Sequence, residues 1–138
     1  MTKVETPLSG SEILAAGRRL QQARIRAITE NIANANSTAG IPGADPYRRK
    51  IAVFEPISAT SPQTPVARIA RDTSEFRIQY NPYDISADAR GNVKLPNVNM
   101  ATENADLQMA IRAYQSNLSA MSSLDSVQKA TADLLKQL

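Results

Sequence analysis

Apolar residues recur along the first third of the chain with helical spacing. Ile13, Ala16, Leu20, Ala23 and Ala27 step by three and four, and the stripe then drifts onto Ile28, Ile32 and Ala35. Ser9 precedes the run and Glu12 follows three residues later, so a hydroxyl and a carboxylate can each satisfy a backbone N–H at the helix start. Asn34, Asn36, Ser37 and Gly40 supply the stop. The pattern predicts a helix over 9–36 behind a flexible segment 1–8. Its apolar face is narrow and rich in alanine, which permits close helix approach.

A longer stripe occupies the C-terminal third. Leu107, Ala110, Tyr114, Asn117, Met121, Leu124, Gln128, Thr131, Leu135 and Leu138 alternate steps of three and four without a break, with Ile111 and Leu118 widening the face. The spacing fits a heptad seam, in which Asn117, Gln128 and Thr131 weaken packing while restricting alignment. It equally fits an ordinary amphipathic helix carrying a few polar residues. The helix is predicted over 99–138, with Asn97 or Asn99 as its cap and with Glu103 and Asp106 near the positive end of its dipole.

Between the helices the period changes to two. Phe76–Tyr80 and Asn92–Leu95 alternate cleanly, Tyr47–Glu55 and Val66–Arg71 less so, and Pro56, Pro62, Pro65 and Asn81-Pro82 punctuate them. Seven of the eight prolines and five of the six aromatics lie in 37–98. This segment reads as a small antiparallel module of about four strands whose apolar inventory is lean enough to require support from a helix. The fold class is therefore α+β: two long terminal helices with coiled-coil-like packing flanking a small β module. The C-terminal stripe is longer than such a module can cover, which points to partners outside the chain.

Composition removes most chemistry. With no cysteine and no histidine, thiol nucleophiles, zinc-thiolate sites and the commonest general base are missing. The five glycines are scattered and form no phosphate loop; Asp84 and Asp88 lack the spacing of an EF-hand, and Asn81-Pro82-Tyr83-Asp84 reads as an Asx-type turn in which Asp84 or Asn81 bonds nearby backbone. No catalytic, cofactor or metal site is expected. The net charge of +3 is thinly spread, and its one dense patch, Arg48-Arg49-Lys50, reads as a solvated strand edge, so no nucleic-acid partner is expected. No apolar run is long enough to enter a bilayer, and no basic start with an apolar core marks a cleaved signal.

One short sequence carries a family resemblance. Leu20 followed by Asn31-Ile32-Ala33-Asn34-Ala35-Asn36-Ser37 is similar to the N-terminal motif of the axial proteins of the bacterial flagellum, the rod, hook and hook-associated proteins, with Ile32 where leucine is usual. Pro46-Tyr47-Arg48-Arg49-Lys50, Gly91 to Asn99 and Arg112 to Asn117 follow in the order of the rod proteins. The resemblance implies a non-enzymatic structural subunit of the proximal rod that transmits torque. It would sit in the basal body within the periplasmic space and leave the cell uncleaved through the flagellar type III export apparatus.

The implied partners are further copies of itself, other rod proteins, and the hook-basal-body adaptor at the rod base. The interface residues expected on this basis are Leu20, Ile28, Asn31, Ile32, Asn34, Tyr114, Asn117, Leu118, Met121, Leu124 and Leu135, with Asn31 and Asn34 reaching across a subunit boundary. A different rod protein of the same family, or a helical adaptor or chaperone, is the alternative.

Overall fold

A computed structural model describes residues 8–55 and 67–137. Helix α1 spans Gly10–Ala33 and helix α2 spans Met100–Lys136; between them lie strands β1 (Lys50–Phe54), β2 (Ala67–Arg71), β3 (Arg77–Tyr80) and β4 (Asn92–Leu95). The α+β class read from the sequence is the observed one. Pro56, Pro62, Pro65, Val66 and Leu138, together with the segment 1–7, fall outside the described residues.

The helix ends obey their local chemistry. Ser9 caps α1 with a reciprocal capping box to Glu12, and those bonds, the backbone N–H of Ser9 first, hold the Glu12 carboxyl below the usual range. At the other end the Asn34 side chain donates to the Glu30 carbonyl (2.9 Å) and accepts from the Ser37 hydroxyl (3.2 Å), closing the helix. Asn99, not Asn97, caps α2, its side chain accepting from the amides of Ala101 and Thr102.

The helices run antiparallel. Small residues on α1 receive larger ones from α2: Gly10 lies against Leu124 and Gly17 against the Asn117 amide, and one end of the pair is closed by Asn31 on Glu103. These α1 positions are seven and fourteen residues apart, as are their partners, so the heptad reading describes the observed packing as far as Leu124. Ala110 is wholly buried on the same seam. Beyond Leu124 the α2 helix continues to Lys136, and residues 125–136 are all exposed. At 1.5 Å per residue this overhang is about 18 Å long.

The strands do not form the single module expected. They make two separate antiparallel hairpins: β1–β2, with Lys50 opposite Arg71, and β3–β4, with Arg77 opposite Leu95. The connection between them explains the break. The Asp72 and Ser74 carbonyls, which could have continued a ladder, instead accept from the Arg48 guanidinium (3.0 Å each) and from the Asn97 amide (3.2 and 3.3 Å). The β1–β2 hairpin rests on α1. Val93 of β4 is buried, as are Ala35 just past α1, Pro46, Pro96 and, just before α2, Val98.

Candidate assembly site

The most heavily buried polar groups meet where α1, β1 and α2 converge. Asn31 and Glu103 are both fully buried, as 0% exposure at each records. The Asn31 amide donates to the Lys50 carbonyl (2.8 Å) and to Glu103 Oε2 (3.0 Å), while its oxygen accepts from the Lys50 N–H (2.8 Å) and the Tyr47 hydroxyl (2.9 Å). All four hydrogen-bonding positions of the side chain are filled. By engaging both backbone groups of Lys50, the amide substitutes for a neighbouring strand along the edge of β1. Glu103 Oε1 accepts from Arg49 Nε at 2.6 Å, a short charge-assisted bond.

Arg49 is the hub of this knot. Its Nη1 donates to Asp72 (3.1 Å), its Nη2 lies 3.8 Å from Asp106, and its backbone N–H donates to Asn97 Oδ1 (2.7 Å). Asp106 in turn meets Arg24 of α1 at 3.4 Å. Burial opposes the charge on Arg49, but the bonds to Glu103 and Asp72 outweigh it and raise its pKa. The Ser74 backbone N–H, followed by Arg49, holds the Asp72 carboxyl below its ordinary range.

The basic run is therefore not the solvated edge expected. Arg48 binds two carbonyls and lies 4.1 Å from the centroid of Phe76, Arg49 holds the knot, and Lys50 pairs with Glu30. Asp84 and Asp88 do bond nearby amides, those of Ser86, Arg90 and Asn92. No group of three or more potential metal ligands clusters among the described residues.

Tyr47 gives the knot a testable pH dependence. Burial first, and then the negative charges of Glu30 and Glu103, push its phenol up to about 12. A raised folded pKa means that this contribution to stability is complete below the unfolded value of about 10 and is lost as pH climbs through the folded value. Urea midpoints measured from pH 9 to 12 should fall more steeply for the unaltered chain than for Tyr47→Phe. Parallel curves would separate Tyr47 from the alkaline loss.

The expected interface residues fall into two groups. Ile28 is buried, while Leu20, Ile32, Tyr114, Asn117, Met121 and Leu124 are half-buried. Asn31 turns wholly inward: with four bonds made inside the chain, its amide has none left for a subunit boundary. Asn34 likewise serves its own helix end. Leu118 and Leu135, by contrast, are exposed at 40% and 68%. The sequence reading missed Glu103, Arg49 and Val127; of these, the spacing of Val127 seven residues before the exposed Leu134 was the available signal.

No protein-family model matches the chain. Among curated proteins, the flagellar basal-body rod protein FlgC of Agrobacterium fabrum is 41% identical over 135 residues, a match covering 94% of this chain and 96% of that protein. The chain belongs to the FlgC family. The FlgC of Salmonella typhimurium is 33% identical, with 92% of each chain covered, and that of Aquifex aeolicus is 32% identical over 80% of this chain and 84% of its own. The similarity to FlgC proteins thus extends across both helices and both hairpins. Among the described residues, no helix is long and apolar enough to cross a membrane.

Proposed function

We propose that this FlgC-family chain is a structural, non-catalytic subunit of the flagellar rod, held in a helical assembly of like and related subunits. The observation that carries the reading, beside the family, is the α2 overhang. Val127, Leu134 and Leu135 are 62–68% exposed on a helix that has outrun its partner in the chain, a face suited to burial between molecules. Leu135 belongs to this outward set, while Leu118, 40% exposed, faces outward from the paired stretch of α2. Leu20, Ile28, Asn31, Ile32, Tyr114, Asn117, Met121 and Leu124 serve by holding the helix pair that presents that set, and Asn34 by closing α1.

In this reading the partners are other copies, other rod proteins and the adaptor at the rod base. The site is the periplasmic part of the basal body, reached through the type III export apparatus without cleavage of a signal. Torque is carried by stiffness, through packed helices and the buried polar knot that ties them to β1. Deletion of the gene in its host, followed by electron microscopy of basal bodies, tests this: the rod and hook should be lost while the inner-membrane ring remains. Intact flagella would overturn it.

A further inference from the structure

Two of the strand edges in this chain are closed by side chains that stand in for a missing strand. At β1, Asn31 engages both backbone groups of Lys50. At β4, Asp88 does the same for Asn92: its N–H donates to the Asn92 carbonyl and its carboxylate accepts from the Asn92 N–H, each at 2.9 Å. A further edge, that of β2, carries Arg68 and Arg71, charges of the kind that keep strand edges apart.

The edge of β3 has neither device. The Asn81 N–H donates to the Gly91 carbonyl, so the pairs Gln79–Val93 and Arg77–Leu95 are those that exchange hydrogen bonds with β4. The N–H and C=O groups of Ile78 and Tyr80 therefore point away from β4, and among the described residues they have no partner. Every β3 residue is exposed, Ile78 at 61% and Tyr80 at 70%. The strand's single charge, Arg77, is drawn aside, its Nε donating to the Pro96 carbonyl at 3.3 Å. Pro82, which has no N–H, ends the edge.

Unpaired backbone groups on alternate residues take an extended chain, and this strand is complementary to itself. A second β3, antiparallel and with Gln79 opposite Gln79, sets Ile78 against Tyr80 and Tyr80 against Ile78, so each outward N–H meets an outward carbonyl. Arg77 then faces Asn81, and no like charges meet. The Ile–Tyr pairs are of the aromatic and β-branched kind that stabilises antiparallel strands. The same pairing of β2 would bring Arg68 and Arg71 of both copies to one seam.

We propose that, outside the rod, the chain pairs β3 to β3 with a second copy about a two-fold axis through Gln79, joining two hairpins into one sheet. Such a contact closes on itself and does not propagate. It is thus distinct from the rod contacts of the assembly reading, and it covers an edge that would otherwise be a template for aggregation.

The register supplies the test. At the axis Gln79 faces its own copy in a pair without hydrogen bonds, where Cα atoms lie about 4.5 Å apart, inside the roughly 4.4–6.8 Å that a disulfide spans. Ile78 and Tyr80 meet their own copies only across the diagonal, about 7–8 Å away. The chain has no cysteine of its own, so full-length Gln79→Cys, Ile78→Cys and Tyr80→Cys chains are oxidised separately. The expected result is a linked dimer from Gln79→Cys in large excess over the other two. Equal yields at the three positions, or a Gln79→Cys yield no higher than in urea, would overturn the proposal. Independently, Tyr80→Pro removes an N–H that the β3–β4 ladder does not use. In sedimentation equilibrium it should weaken the pair roughly tenfold, because the bond is lost in each copy, with the helical circular dichroism unchanged. Unaltered association, or an unsubstituted chain that stays monomeric at every concentration tested, would equally overturn it. Neither result bears on the gene deletion, so the two ideas fail independently.

Discussion

Replacing Glu103 with alanine should cost the folded chain about 3 kcal/mol, the lower end of what breaking a buried ion pair entails. The carboxylate is fully desolvated and accepts one bond from Asn31 and one from Arg49. Bonds to charged groups contribute about 1.5–3 kcal/mol each. Two features keep the loss from growing larger. Arg49 retains Asp72 and Asp106, so its charge is not stranded, and the Asn31 amide keeps the Lys50 carbonyl.

Glu103→Gln preserves the volume but can offer its single acceptor to only one of the two donors. Its expected cost is therefore about half, or 1–2 kcal/mol. Urea denaturation at neutral pH reads both: the midpoint should fall in the order unaltered, Gln, Ala, at constant m. A Glu103→Ala chain with an unshifted midpoint would mean that the knot contributes nothing to stability. Against a typical total of about 5–15 kcal/mol, a loss of about 3 is a large fraction of the stability.

The second large effect is expected where stability is untouched. Val127 and Leu134 make no contact that buries them in the folded chain, so Val127→Asp with Leu134→Asp should shift the urea midpoint by an amount within about 0.5 kcal/mol. In an assembled rod the same two carboxylates would be driven into an apolar contact, at several kcal/mol each if unpaired. Motility in a strain carrying only the doubly substituted gene should fall to the level of the deletion, with the protein still made in normal amounts. Normal swimming would show that the overhang is not a contact surface, whatever its exposure suggests. Paired with Glu103→Ala, the experiment separates residues that hold the subunit from residues that hold the assembly.

Much of the scaffold was legible because its causes are local. The capping box at Ser9 and the cap at Asn99 depend on residues three or fewer positions away, and the two stripes depend on spacing alone. The knot was not legible, because its bonds join residues 16 to 82 positions apart, from Tyr47–Asn31 to Arg24–Asp106. Read locally, Arg49 belonged to a basic run and Glu103 to a helix dipole. One clue was present: Asn31 lies on the apolar side of α1, where an amide must find partners or be excluded. The same blindness to distance explains why two hairpins were read as one module. Their strands were found, but the side chains of Arg48 and Asn97, which take up the carbonyls between them, come from opposite sides of the break.

The antiparallel helix pair also sets the order of events as the chain folds. Gly10 waits for Leu124, Gly17 for Asn117 and Asn31 for Glu103, so α1 gains its partner only when residues some 70 to 115 positions later are free to meet it. Contacts that close such long loops form late. A solitary α1, with a narrow alanine-rich face and nothing to bury it against, is marginal as a helix in water. Whichever end of the chain is delivered first, the subunit therefore cannot close until nearly all of it has arrived. Its stiffness is deferred until both helices are present; in the export reading proposed above, that keeps the chain pliable in transit.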